Sequence, residues 1–391
     1  MRMSSDQRQI GVYIHIPFCK VKCDYCAFVS YRAEDHDVSG YLTALASEMS
    51  LRIGGLDQLW SIATVYVGGG TPSVLSDSGI GQLLSEIKSR IFPHYSSGGV
   101  EFTLEANPSS LDRKKLDTMV EWGVNRLSMG CQSIDPATLG TLGRDGSPDR
   151  FLEAYQSARA AGIQNIAVDL IFGVPGQTLP SFREDLCSLL QLDPEHVSLY
   201  ALSIEEGTPL DKRLAESGES SFDRDCLDDM AADMYEIGVE TLRSNGYRRY
   251  EISSLARPGY ESKHNMIYWT DRPYIGLGVG AHSYLNGFRR ANTASVHQYT
   301  EQIRIRGDAT STSERIDEHR GLSDAMILGL RLSSGVSIRD LKARYPSDVV
   351  DSCIATLDSH IRNGLLLYDG DTLALTDRGF LLANMVMSEL V

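Results

Sequence analysis

Short β-prone runs alternate with longer amphipathic ones through the first half of the chain, and this alternation leaves few folds open. The strand runs fall at residues 12–16, 64–67, 101–105, 126–129, 166–171 and 196–201. Most of them precede a helical pattern. Residues 77–92 carry Ile80, Leu83, Leu84, Ile87 and Ile91 at helical spacing. Residues 151–161 follow Ser147-Pro148, a capping residue and a proline at the first helical position. Residues 179–190 form the helical pattern after the fifth run. Several runs read as apolar on both faces, as parallel strands between helices are. Six strand–helix units in series predict a parallel sheet, either doubly wound or partly closed as a barrel. In both folds ligands gather at the C-terminal ends of the strands. The residues just after each strand are therefore the ones that carry chemistry.

The second half reads differently. Residues 216–236 carry eight acidic side chains against one basic, Arg224, the pattern of a solvated helix face. Residues 246–299 are rich in Gly, Tyr and Arg and show no long period. From Ser323 onward helices precede a hairpin, residues 365–368 and 372–375 around Asp369-Gly370-Asp371, and one more helix follows. This resembles a winged-helix module. The helix predicted over 348–361 has three Asp and no Lys or Arg, so a structural or docking role is expected rather than DNA reading. The whole chain has 37 basic and 52 acidic residues, a net charge of -15, which also argues against nucleic acid. Residues 1–10 are polar, and no run reaches the length of a membrane span, so a cytoplasmic protein is expected.

The seven cysteines are unevenly placed. Cys19, Cys23 and Cys26 lie in one Cys-x-x-x-Cys-x-x-Cys run directly after the first strand, while Cys131, Cys187, Cys226 and Cys353 are scattered and read as buried thiols. An odd count argues against a closed disulfide framework. Three thiolates at this spacing can each take one corner of a four-iron, four-sulfur cube, leaving the fourth iron open to a chelating small molecule. The alternative is a zinc knuckle, but zinc sites favour paired cysteines and four ligands, and no second pair occurs.

The run resembles the cluster loop of the radical S-adenosylmethionine (SAM) superfamily. That resemblance implies a [4Fe-4S] cluster on Cys19, Cys23 and Cys26. It implies SAM on the open iron, cleaved by one electron to a 5′-deoxyadenosyl radical. It also implies a partial (β/α)6 barrel. Residues after the strands match in turn. Gly68-Gly69-Gly70-Thr71-Pro72 follows the second strand, where the lack of Cβ atoms lets a ligand approach the backbone. Glu105 ends the third strand and can accept two ribose hydroxyls, or is a solvated strand end. Gln132 follows the fourth and can read an adenosine or carboxylate edge. Asp169 interrupts an apolar run, where a carboxylate needs a partner or a ligand. Arg144 is its possible ion-pair partner or a carboxylate clamp. Ala201 ends the sixth strand, where a small side chain admits adenine or simply packs.

Further motifs are similar to the oxygen-independent coproporphyrinogen III oxidase-like group: Tyr13-Ile-His15-Ile-Pro17-Phe18-Cys19, the triple glycine, residues 169–178 and Gly278-Val-Gly280-Ala-His282-Ser. The group is similar in holding two SAM molecules. By resemblance Tyr13, Gly69 and Glu105 serve the first, and Tyr25, Gly70, Thr71, Gln132, Arg144, Asp169 and Ala201 the second. Three departures separate the chain from the decarboxylating dehydrogenase. Phe28 stands where a fourth cysteine is expected, only twelve residues precede Tyr13, and His264-Asn265-x-x-Tyr268-Trp269 resembles the mark of HemW-type heme chaperones. That branch implies heme as a cofactor, an acceptor hemoprotein as partner and no dehydrogenase activity; the alternative is the oxygen-independent coproporphyrinogen III dehydrogenase itself or another radical SAM oxidoreductase. A helix over this motif places His264 and Tyr268 on one face. His264 is then a heme contact or a hydrogen-bonded packing residue between barrel and C-terminal domain, with His282 and Cys131 as weaker ligand choices. The expected division is a radical SAM core over 1–240, a connecting segment over 241–300 and a winged-helix-like C-terminal domain over 301–391.

Overall fold

The computed structural model describes residues 8–57, 59–95, 99–217 and 221–391, with side chains 217 and 221–228 excluded. Residues 1–7, Arg224 and the Cys226 side chain lie outside the described residues.

All six predicted strands form, most of them longer than the sequence runs: β1 (Arg8–Ile16), β2 (Trp60–Gly69), β3 (Glu101–Ala106), β4 (Arg126–Gln132), β5 (Asn165–Phe172) and β6 (His196–Ala201). They lie side by side in chain order, and every pair is parallel. Helices Val38–Gly54, Asp77–Arg90, Arg113–Glu121, Pro148–Ala160, Leu179–Leu192 and Ser221–Ser244 follow them in turn. The starts of the first five are fixed by Asp37, Ser76, Asp112, Ser147 and Thr178, whose side chains accept backbone N–H groups.

The strands are not apolar on both faces, contrary to the sequence expectation. Alternate residues Ile10, Val12, Ile14 and Ile16 of β1, Phe102 and Leu104 of β3, Leu127 and Met129 of β4, and Val197 and Leu199 of β6 pack with the helices in one core. The intervening positions Tyr13, Tyr66, Glu105, Arg126, Asp169 and His196 face the inside, because side chains alternate along a strand. The interior of the partial barrel is thus polar and the exterior apolar.

Segment 241–300 is part of the same sheet. It supplies β7 (Arg248–Glu251), β8 (Ser254–Ala256), β9 (Tyr274–Leu277), β10 (His282–Leu285) and β11 (Phe288–Asn292), and Thr310–Arg315 adds β12. The order across the twelve strands is β12-β11-β10-β9-β1-β2-β3-β4-β5-β6-β8-β7. Strand β9 runs parallel to β1 and makes a seventh parallel strand. It is four residues long and too short to show a period. Helix Lys263–Trp269 lies between β8 and β9.

The C-terminal region has a three-stranded sheet of Val336–Ser337, Leu366–Tyr368 and Thr372–Leu375 with helices around it. The expected hairpin forms, but the helix over 348–361 breaks at Leu357 into Ser347–Thr356 and Asp358–Arg362. Arg249, with its guanidinium carbon 3.6 Å from the centre of the Phe380 ring, joins this region to β7. Among the described residues no helix is long and apolar enough to cross a membrane.

Candidate functional site

The C-terminal ends of the parallel strands bring most of the predicted residues together. The cysteine loop leaves β1 at Pro17. A short parallel pair, Phe18–Cys19 with Tyr31–Arg32, closes its base. Cys19 is buried, Cys23 and Cys26 are partly buried, and all three are free thiols. Each has a polar neighbour: Thr71 Oγ1 at 3.7 Å from Cys19, Arg144 at 3.6 Å from Cys23 and Ser30 Oγ at 3.8 Å from Cys26. Burial raises the Cys19 pKa; the bond from Thr71 opposes this, and the nearby Cys26 and Cys23 add to it. Phe28 stands 71% exposed on the rim of the loop. Among the described residues no three His, Cys, Asp or Glu side chains close around a single ion. The loop offers three free thiols.

The glycine run lies against this loop. The Gly70 N–H donates to Ile16 and the Thr71 N–H to Phe18. A Cβ on Gly70 would stand 2.7 Å from the Phe18 carbonyl oxygen, and one on Gly69, where φ is +118°, 2.5 Å from the His15 ring. Only glycine fits either place. The Gly69 N–H donates to Glu105 Oε2 at 3.0 Å, and the Tyr66 hydroxyl donates to Glu105 Oε1 at 2.6 Å. Burial pushes the Glu105 carboxyl up, and these two bonds hold it down. Tyr13 donates to His15 Nδ1 at 2.9 Å, and the other nitrogen of His15 bonds to the Val29 carbonyl at 2.8 Å.

On the far side, Gln132 has φ +70° at a register shift between β4 and β5. Its Oε1 is buried without a hydrogen-bond partner. Strained backbone and an orphaned acceptor together mark a place built for a ligand donor. Arg144 donates to the Gly130 carbonyl at 2.8 Å. Burial works against its charge, but Cys23 and Tyr25 raise its pKa. Asp169 is bonded to Ser198 and Ser128, with the charges of Arg126 and Arg144 nearby. Burial raises its pKa against those bonds. Tyr25 packs on Leu142, Ile171 and Val174, and Ala201 is exposed at the end of β6. Glycine cradle, orphaned amide and three-thiol loop fit a cluster with a bound nucleoside amino acid.

His264 is elsewhere. It lies at the opposite end of the barrel, 1% exposed. Its Nδ1 is 2.7 Å from Thr64 Oγ1 and its Nε2 is 2.8 Å from the Tyr268 hydroxyl. Both nitrogens are therefore engaged, the arrangement a hydrogen-bonded packing residue has. Trp269, under Arg331 at 4.3 Å, meets the C-terminal region. Cys131 is in the hydrophobic core and His282 is exposed on β10. Cys187, expected as a buried thiol, is exposed.

Sequence reasoning missed Tyr66, Arg126 and Glu48. Tyr66 was visible as the polar position between Val65 and Val67. Arg126 is 2% exposed, and its Nε has no hydrogen-bond partner. Glu48, on the apolar face of Val38–Gly54, accepts from Tyr299, Asn292 and the Gly278 N–H.

Comparison with known proteins agrees with this geometry. Residues 13–187 match the model of the radical SAM superfamily, and residues 316–382 that of the HemN C-terminal domain. The heme chaperone HemW of Bacillus subtilis (strain 168) is 36% identical over 376 residues, 96% of this chain and 97% of its own length. The HemW of Lactococcus lactis is 33% identical over 98% of this chain and 97% of its own. The mitochondrial radical S-adenosyl methionine domain-containing protein 1 of Mus musculus is 32% identical over 93% and 83%. Coproporphyrinogen III oxidase (HemN) from Escherichia coli, a radical SAM enzyme, superposes with a TM-score of 0.85 at 21% identity, covering 98% of this chain and 90% of that one. This last likeness shows the fold alone. The chain belongs to the HemW family of the radical SAM superfamily, whose cofactors are a [4Fe-4S] cluster and SAM.

Proposed function

With that membership as premise, we propose that the protein is a heme chaperone: it binds heme and transfers it to an acceptor hemoprotein. The observation that carries this is the end-to-end match to the HemW of Bacillus subtilis, 36% identical over 96% of the chain. We assign Cys19, Cys23 and Cys26 to the cluster. Gly69, Gly70, Thr71, Glu105, Gln132, Arg144 and Asp169 are assigned to SAM, with Tyr13, Tyr25 and Ala201 at the margins. When bound, the cluster supplies the single electron that cleaves SAM. The chain's own residues position and shield. Gly69 and Gly70 leave room at the backbone, Glu105 offers acceptor oxygens, Gln132 offers its orphaned Oε1, and Arg144 places a cation beside Cys23. Free thiol ligands suit a reducing compartment, and we place the protein in the cytoplasm.

The test is anaerobic reconstitution followed by heme titration with and without SAM, then mixing with an apo-hemoprotein. Heme uptake and its appearance on the acceptor are expected. Conversion of coproporphyrinogen to protoporphyrinogen by the same preparation would overturn the assignment in favour of an enzyme.

A further inference from the structure

The helix carrying His264-Asn265-x-x-Tyr268-Trp269 plugs the bottom of the barrel, and its contacts lead upward to the SAM site. It is fixed at its start by Glu101 of β3, which accepts the backbone N–H groups of Lys263 and His264 at 3.1 and 3.0 Å. It approaches β1 at Gly11, where a Cβ would stand 2.8 Å from Ile267 Cδ1. The His264 ring holds Thr64 of β2 through Nδ1 and stacks on Tyr66 of the same strand, with centroids 5.1 Å apart and planes 27° apart. Tyr66 in turn stacks on Tyr13, centroids 6.2 Å apart, and its hydroxyl donates to Glu105. Glu105 accepts the Gly69 N–H from the glycine cradle.

We infer that His264 is a positioning residue of the SAM site, acting through Thr64 and Tyr66 to fix the Glu105 carboxylate, and that it does not ligate heme. The inference rests on the assignment of Glu105 to SAM. Rotation about χ2 leaves a phenol oxygen in place, whereas a swing about χ1 moves it, and the stacked imidazole closes one side of that swing. With Tyr66 held, one Glu105 oxygen is committed to the floor and the carboxylate plane is set, leaving its remaining lone pairs aimed into the site. Iron ligation would require His264 to give up one of two buried hydrogen bonds and to leave a ring stack. Burial pushes the imidazole pKa down to about 3, with Arg126 adding to the effect, so the ring is neutral at physiological pH and serves one hydroxyl as donor and the other as acceptor.

The experiment uses the full-length, anaerobically reconstituted protein and measures SAM dissociation constants and heme Soret titrations side by side. The variants are His264→Ala, Thr64→Val and Glu105→Ala, together with the Thr64→Val/Glu105→Ala pair. Thr64→Val keeps shape and removes only the Nδ1 partner, so it serves where His264→Ala fails to fold. His264→Ala is expected to weaken SAM about tenfold and Thr64→Val about fivefold, with the heme band unchanged. In the Glu105→Ala background Thr64→Val should change SAM affinity no further, a coupling that general loosening of the fold would not produce. Unchanged SAM affinity in Thr64→Val while Glu105→Ala weakens it would overturn the positioning role. So would loss of heme with SAM retained in His264→Ala. Unchanged SAM affinity in Glu105→Ala would instead remove the Glu105 assignment, and the inference with it.

Discussion

Replacing Glu48 by alanine should cost more stability than any single surface change in this protein. Glu48 is 1% exposed and ties three chain segments to one carboxylate. Tyr299 donates to Oε2 at 2.7 Å, the Gly278 N–H to Oε2 at 2.8 Å and Asn292 Nδ2 to Oε1 at 2.8 Å. Each buried donor left without a partner costs roughly 1–3 kcal/mol. Three donors, less the burial cost that the missing carboxylate no longer bears, give a loss of about 3–5 kcal/mol. Urea unfolding followed by tryptophan fluorescence reads this as a midpoint lower by roughly 1 M. Glu48→Gln keeps an acceptor and should lose about half as much. Wild type and Glu48→Gln also separate by pH. Burial holds the Glu48 carboxyl above the usual range, against the bonds from Tyr299, Gly278 and Asn292. A folded pKa above the unfolded one means stability that is full below about pH 4.3 and lost as pH rises through the folded value. The uncharged Gln side chain has no such loss, so the gap between wild type and Glu48→Gln should narrow as pH rises. An unchanged midpoint in Glu48→Ala would refute the argument that this carboxylate organises the three segments.

Gln132→Gly should leave stability within about 1 kcal/mol, since relief of the φ +70° backbone offsets glycine's entropy. SAM affinity measured by equilibrium binding should nonetheless fall several-fold; equal affinity would remove Gln132 from the site. Gly70→Ala places a Cβ 2.7 Å from the Phe18 carbonyl oxygen, so iron content after reconstitution should drop, and full loading would show that the loop can yield. Asp185 accepts from Ser133 Oγ at 2.9 Å and from the Ile134 N–H at 2.6 Å, and burial pushes its pKa up to about 6. Its contribution is full below about pH 4 and declines by about 3 kcal/mol as pH rises through 6, a slope that Asp185→Asn should abolish in denaturation series from pH 4 to 7.

The polar lining of the barrel was hidden in the sequence because neighbouring strands, not neighbours in the chain, give it meaning. Glu105 and Asp169 stood out as carboxylates at or within strands, but Tyr66 and Arg126 looked like ordinary alternation. Strand β9 escaped notice because four residues carry no period; pairing with β1 makes it a strand.

What the sequence determined by itself is local. The spacing of Cys19, Cys23 and Cys26, the glycines after β2, the caps before the helices and the hairpin at Asp369 are all read over a few residues, where backbone geometry alone fixes the outcome. The i, i+4 pairing of His264 and Tyr268 was legible for the same reason, and the 2.8 Å bond between them forms. What that pair touches was decided by the tertiary structure. Thr64 lies 200 positions from His264, and Glu48 lies 230 from Gly278 and 251 from Tyr299. Contacts of that range follow from sheet register and helix packing, which no local pattern encodes. They place His264 beneath the strands that carry Glu105 and Gly69, with its nitrogens already bonded to Thr64 and Tyr268.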